Sequence, residues 1–102
     1  SWEDAVAVFT EAVRLAPDHG PARLRLAYNM LMAKRPPSQV SEHVQRAVQV
    51  LPEEPEAHFV RGLCYERGEM DKLAIRAYQR AIELKPNYAD AKKRLKKLRW
   101  GF

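Results

Sequence analysis

The chain has 102 residues, of which 46% are hydrophobic and 30% are charged, proportions that are typical of a folded helical domain. No stretch of 18 apolar residues is present, which excludes a membrane-spanning helix, and the single cysteine excludes an internal disulfide. Residues 1–4 are neither basic nor apolar as a signal peptide would be, so we expect a cytoplasmic protein.

The net charge of +5 belongs to one end of the chain. Residues 89–102 contain six basic side chains and one acidic side chain, whereas residues 1–88 contain twelve of each sign. The high isoelectric point therefore describes a basic C-terminal segment and does not indicate a basic domain.

Apolar residues recur at intervals of three and four in six stretches, each bounded by proline, glycine or polar turn residues. We predict helices at residues 2–15, 21–34, 38–51, 55–67, 71–85 and 88–100. Pro21 and Pro55 suit the first turn of a helix. We expect Ser38 to cap the third helix, and Glu53 or Glu54 to cap the fourth. The short connections imply that successive helices are antiparallel.

The prolines that end alternate helices are regularly spaced. Pro52 and Pro86 are 34 residues apart, which is a known period of stacked helical hairpins. Pro17 and Pro52 are 35 residues apart, so one residue is inserted between them, most simply at residues 35–37.

These features resemble the tetratricopeptide repeat family, whose pattern is W-x2-L-G-x2-Y, then A-x3-F, then P. The best-preserved copy matches at Gly62, Tyr65, Ala74, Tyr78, Ala81 and Pro86. A half copy matches at Trp2, Ala5, Phe9, Ala12 and Pro17, and the middle copy matches more loosely at Leu26, Ala27, Val40, Val44, Ala47 and Pro52. In this pattern the small residues leave room for neighbouring helices, and the tyrosines fill the space between them.

The resemblance implies an all-α fold, a right-handed superhelical solenoid of antiparallel helix hairpins. It implies a single domain that is part of a longer protein, divided into the second helix of a partial repeat (1–17), two repeats (18–52 and 53–86) and a basic capping helix (87–102). The apolar stripe of that last helix would consist of Ala91, Leu95, Leu98 and Phe102.

Catalytic and metal-binding motifs are absent from the sequence. His19, His43 and His58 show no metal-ligand spacing with Cys64, and there is no glycine-rich phosphate loop or nucleophile motif. We interpret His19 as a turn residue, His58 as a first-turn helix residue and Cys64 as a buried residue. We therefore expect no enzyme activity, no metal and no cofactor.

In this family the first helix of each hairpin lines a concave groove that binds extended or helical peptides. By register, the groove residues here are Leu24, Arg25, Tyr28, Leu31 and Met32, then Glu56, Phe59, Val60, Leu63, Glu66 and Arg67, and finally Lys93, Arg94 and Lys97. The leading hypothesis is a non-catalytic interaction scaffold or adaptor that binds a peptide or partner helix. Because the C-terminal end is positive, we expect an acidic or mixed acidic-apolar ligand. The alternative is that the apolar members pack on each other or on a helix that precedes this sequence.

One branch of the family binds the acidic C-terminal tails of heat-shock chaperones through a clamp of lysine, asparagine and arginine side chains. The corresponding positions here are Leu24, Tyr28, Val60, Asp90 and Arg94. Only Arg94 fits the clamp, so we expect no binding of such tails.

Three further alternatives remain open. The basic last helix either caps the array or binds an acidic partner, calmodulin or an anionic membrane, while nucleic acid is not expected because base-reading aromatic residues are lacking. Trp2, Val6 and Phe9 on the first helix would be covered either by an upstream continuation of the natural protein or by a second copy, which would form a homo-oligomer. The domain could also be attached to an enzyme, which this sequence does not address.

Overall fold

The computed structural model describes residues 1–101, so the predicted place of Phe102 on the last helix lies outside the described residues. Residues 1–101 form six α-helices and no strand, which confirms the all-α prediction. The helices are α1 (Trp2–Leu15), α2 (Gly20–Met32), α3 (Pro37–Val50), α4 (Pro55–Arg67), α5 (Asp71–Leu84) and α6 (Ala89–Trp100).

The helix ends differ from the predicted ends by two residues at most, and the differences lie in the caps. The expectation that Ser38 caps α3 is wrong, because α3 begins at Pro37 and its cap residue Pro36 makes no side-chain bond. The carboxylate of Glu54 caps α4 as predicted, accepting a hydrogen bond from the backbone N–H of Glu56 at 3.4 Å.

Two of the helices end in the same left-handed turn. Lys34 follows α2 with φ of 67°, and Glu69 follows α4 with φ of 62°. In each case the next residue donates its N–H back to the helix, to the carbonyl of Met30 or of Tyr65, both at 2.9 Å. This six-to-one bond is the Schellman closure, which normally uses glycine at the left-handed position. Here α2 therefore ends two residues before the predicted Lys34.

Each helix packs against the next, and α2 also contacts α4. Consequently α2, α4 and α6 lie along one side of the molecule, and α1, α3 and α5 lie along the other. The extra residue of the first hairpin lies in its turn, since four residues (33–36) join α2 to α3 and three (68–70) join α4 to α5. The body measures 41 × 26 × 21 Å. None of the helices within residues 1–101 has the length and apolar character needed to cross a membrane.

Small residues bring these helices close together. The fully buried alanines include Ala47, Ala57, Ala74 and Ala81, and Gly62 lies against the buried ring of Tyr78. The predicted role of Gly62, Ala74 and Ala81 as spacers between helices is confirmed. The largest fully buried side chains, listed by volume, are Tyr78, Leu31, Val40 and Val60.

Candidate binding groove

One face of the molecule, formed by α2, α4 and α6, contains an open cavity of about 390 Å³. Its lining residues are Met32, Leu63, Glu66, Arg67, Glu69 and Arg94. We call this face the groove. It is the face that the sequence analysis predicts to bind a ligand.

The floor of the groove is apolar and half exposed. Tyr28, Met32 and Leu63 are packed against the core on one side and remain partly accessible on the other. Tyr28 and Met32 are one helical turn apart on α2, and Leu63 lies on the adjacent α4. These three predicted groove residues are the ones that offer apolar surface to a ligand.

Three other predicted groove residues lie in the core. Leu24 is 4% exposed, and Leu31 and Val60 are 0% exposed. The physical reason is the geometry of the helix, in which neighbouring residues point about 100° apart. Val60 lies three positions before Leu63, which places it about 60° from Leu63 around the helix axis and turns it into the core. The expectation that Leu24, Leu31 and Val60 line the groove is corrected.

Phe59 is also a core residue, with 8% of its surface exposed. Its ring lies 5.8 Å from the ring of Tyr78 and 5.1 Å from that of Tyr88, both in tilted arrangements. Burial raises the pKa of Tyr88 to about 12. The sequence analysis gives Tyr88 no role and places it at the start of the last predicted helix, whereas Tyr88 is the cap residue before α6.

The predicted groove residue Arg25 joins two helices. Its guanidinium binds the carboxylate of Glu56, so α2 is linked to α4 at the end of the groove where these helices begin. The sequence did not reveal a second contact, in which the rings of Trp2 on α1 and Tyr28 on α2 are roughly perpendicular, with 6.2 Å between their centroids.

A second arginine joins α4 to α6. Nε of Arg94 donates to Glu66 at 3.1 Å, and the hydroxyl of Tyr78 donates to the same carboxylate oxygen at 2.8 Å. Burial of Glu66 opposes ionisation, but the hydrogen bonds from Arg94 and Tyr78 outweigh it and hold the pKa of the carboxyl below its ordinary value. The same pairing raises the pKa of Arg94. Arg94 thus has a structural partner within the chain.

The remaining predicted cations are exposed. Lys93 and Lys97 lie on α6, and Arg67 ends α4, where its Nη2 also donates to the carbonyl of Leu31 at 3.2 Å. The charge of Lys97 contributes to the lowered pKa of Glu66. The groove is therefore positive at its α6 end, with Glu69 at its edge.

The fold accounts for the side chains of His58, His19 and Cys64 by hydrogen bonding or burial. Nε2 of His58 lies 2.8 Å from the carbonyl of Pro52, and His19 caps α2 by accepting from the N–H of Ala22 at 3.2 Å. Cys64 is buried, and burial raises the pKa of its thiol. Within residues 1–101, no three histidine, cysteine, aspartate or glutamate side chains are grouped so as to hold a metal ion.

Comparison with known proteins identifies the repeat. The sequence model of the tetratricopeptide repeat matches residues 55–97. The chain is similar in structure to MamA (41-end) from Desulfovibrio magneticus RS-1, with a TM-score of 0.85 and 26% identity over 95% of this chain and 54% of that chain. The first TPR domain of the human RPAP3 protein has the same fold, with a TM-score of 0.87 and 20% identity over 96% of this chain and 76% of that chain.

The chain spans about half the length of the MamA structure. No curated protein matches its sequence. Proteins with this fold generally act as scaffolds for protein–protein interaction and are generally non-enzymatic. Residues 55–97 therefore match the tetratricopeptide repeat, and nearly the whole chain has the fold of the first TPR domain of human RPAP3.

Proposed function

We propose that the chain is a non-catalytic module that binds a peptide or helix of a partner protein in the groove. The observation that carries this proposal is the half-exposed apolar floor of Tyr28, Met32 and Leu63, bordered by exposed cations on α4 and α6. A contiguous apolar surface with a few charged groups at its rim is the usual form of a binding site.

The charges of the groove favour an acidic and apolar ligand. Glu56 and Glu66 are each bound by an arginine of the chain, so their charges are largely compensated. Arg67, Lys93 and Lys97 remain exposed near the cavity. A ligand with apolar side chains for the floor and carboxylates for the α6 end would satisfy both parts of the surface.

The packing of α6 supports its interpretation as a cap. Ala91 is fully buried, and Leu95 and Leu98 pack against the core, so the apolar stripe of this helix is covered within the chain. Membrane binding through that stripe is therefore not part of the proposal. Chaperone-tail binding is not proposed either, since Arg94 is held by Glu66.

A selected peptide tests the groove directly. We would select ligands from a random 16-residue peptide library on the intact chain and measure their affinities by fluorescence anisotropy. The double variant Met32→Ala with Leu63→Ala should weaken binding by about tenfold or more, because each side chain loses roughly 1 kcal/mol or more of apolar contact.

The matched control removes exposed apolar surface elsewhere. Val8 and Leu15 are both exposed on α1, away from the groove. Val8→Ala with Leu15→Ala should leave affinity unchanged. If the groove variant and this control bind the selected peptides equally well, the proposed site is wrong.

A further inference from the structure

A cleft between α4 and α5 gathers three arginine side chains. Its open cavity of about 270 Å³ is lined by Arg61 on α4 and by Arg76 and Arg80 on α5. Arg61 and Leu63 are two positions apart on α4, which is about 200° of helical rotation. The cleft therefore lies on the face of α4 that is turned away from the floor of the groove. We call it the arginine cleft.

The charges of the arginine cleft are poorly compensated within the chain. Among residues 1–101 no carboxylate lines the cleft, and Arg76 has no hydrogen-bond or ion-pair partner. Arg61 contacts a neutral side chain, since its Nε donates to the hydroxyl of Tyr65 at 3.2 Å. Nη2 of Arg80 lies 3.5 Å from a carboxylate oxygen of Glu53, and this ion pair is weak because both side chains are exposed.

The preceding hairpin, formed by α2 and α3, has no such cluster. The matching positions lie 35 residues earlier on α2 and 34 residues earlier on α3, and they hold Leu26, Glu42 and Arg46. Leu26 is buried, and Arg46 is bound by Asp18. The repeat pattern has leucine at this α2 position, so the charge of Arg61 departs from the pattern. The matching side chains have no net charge, whereas those of the arginine cleft carry +3.

The donors of the arginine cleft suit a phosphate group. A guanidinium presents its N–H groups in a planar fork that pairs with two phosphate oxygens. A phosphorylated side chain brings about −1.5 to −2 charges at pH 7 and three acceptor oxygens. Tyr65 adds a donor, because its hydroxyl accepts from Arg61 and keeps its own proton for a ligand. A carboxylate, with one charge and two oxygens, would match fewer of these groups.

The apolar part of the arginine cleft favours a polypeptide over a free ion. Leu73, which is partly buried, and Ala77, which is buried, line the cleft beside the two arginines of α5. Arg76 and Arg80 are one helical turn apart, about 6 Å along the axis, so the positive charge is spread along the helix. An extended chain that carries a phosphate can meet both the cations and the apolar surface, whereas inorganic phosphate meets the cations alone.

We propose that the arginine cleft binds a phosphorylated side chain in a segment of a partner protein. The phosphate contacts Arg61, Arg76 and Arg80, and the neighbouring residues of the segment lie on Leu73 and Ala77. The proposal does not rest on ligand binding in the groove, because the two sites lie on different faces of α4.

Two short random-peptide libraries, with phosphothreonine or phosphotyrosine fixed at the centre, provide the probes. Peptides selected on the intact chain would be measured by fluorescence anisotropy beside their unphosphorylated forms, and phosphorylation should strengthen binding by about tenfold or more. Arg76→Gln with Arg80→Gln should weaken phosphopeptide binding by about tenfold or more. Arg76→Lys with Arg80→Lys keeps the charge without the planar fork and should restore only part of the affinity.

The matched control removes two positive charges from the opposite face. Lys93→Gln with Lys97→Gln, both exposed on α6, gives the same net charge and should leave phosphopeptide affinity nearly unchanged. Met32→Ala with Leu63→Ala, which tests the groove, should also leave it unchanged, so the two proposals fail independently. Circular dichroism and thermal unfolding would verify that each variant is folded.

Four results would overturn the proposal. The first is that no selected peptide binds more tightly than its unphosphorylated form. The second is an equal loss of affinity in the α5 variant and the α6 control, since attraction by the net charge would then explain binding. The third is displacement of the peptide by inorganic phosphate at the same concentration, because a free ion would then be the ligand. The fourth is stronger arginine-dependent binding to phosphatidylcholine vesicles that contain phosphatidylinositol bisphosphate, since a membrane would then be the occupant.

Discussion

Gly62 lies so close to Tyr78 that a Cβ atom at position 62 would stand 2.4 Å from Cε1 of the tyrosine ring. The ring is fully buried, and its hydroxyl is held by Glu66, so it has no space into which to move. The crossing of α4 and α5 is therefore fixed by the absence of a side chain at one position. The packing of α4 between α5 and α6 depends on the same contact.

Gly62→Ala should destabilise the chain by about 1–3 kcal/mol, because an added methyl group at a close-packed crossing forces the helices apart. The matched control is Gly68→Ala, where the nearest atoms to a new Cβ are 3.6 Å away. That change should be neutral, or stabilising by up to about 1 kcal/mol through the unfolded state. Urea unfolding of both variants gives the comparison, and equal loss of stability would refute this view of the crossing.

Glu69→Gly should stabilise the chain, because Glu69 has a positive φ that glycine adopts without a steric penalty. We expect a gain of about 0.5–1 kcal/mol, and a similar gain for Lys34→Gly at the equivalent position. Lys72→Gly, in the first turn of α5, is the control and should be destabilising. The free energy of unfolding measured in urea would decide, and a loss at both left-handed positions would contradict the assignment of these turns.

Acid should weaken the contact between α4 and α6. The pKa of Glu66 is lowered in the folded state, so its ion pair with Arg94 contributes fully above pH 4.5 and is lost as the pH falls through the lowered value. Glu66→Gln should cost about 1 kcal/mol at pH 7 and much less at pH 3. Urea unfolding at both pH values tests this, and a cost independent of pH would show that the charge is unimportant.

Phe59→Ala should reduce stability by about 3 kcal/mol or more, because it opens a cavity beside the buried ring of Tyr78 and the partly buried ring of Tyr88. Leu63→Ala, on the half-exposed floor of the groove, should cost distinctly less. Thermal unfolding of the two variants separates a core residue from a surface residue. Equal costs would mean that Phe59 belongs to the groove after all.

The sequence was informative where a residue's role depends on its neighbours along the chain. Proline positions and apolar spacing were enough to place all six helices, and the 34-residue interval between Pro52 and Pro86 indicated the repeat. The face of each helix was less certain. Val60 is predicted to line the groove, but it is fully buried. Each position along a helix turns the side chain by about 100°, so a small error in the predicted register assigns a core residue to the ligand-facing side.

Contacts between distant parts of the chain were the least predictable. Arg94 was expected to meet a ligand, but it meets Glu66, which lies 28 residues earlier. The repeat pattern gives no consistent signal for such a pair, since the position equivalent to Arg94 is an arginine in α2 (Arg25) but a valine in α4 (Val60). Only the three-dimensional arrangement of α4 and α6 shows that one predicted groove cation is already bound.

The central claim, that the groove is the ligand surface, is tested most directly by amide chemical-shift mapping with a library-selected 16-residue peptide. The account predicts that the largest shifts fall on Tyr28, Met32, Leu63 and Arg67, extend to Lys93 and Lys97 for acidic peptides, and shrink with added salt. Shifts confined to the opposite side of the molecule, on α1, α3 and α5, would contradict it.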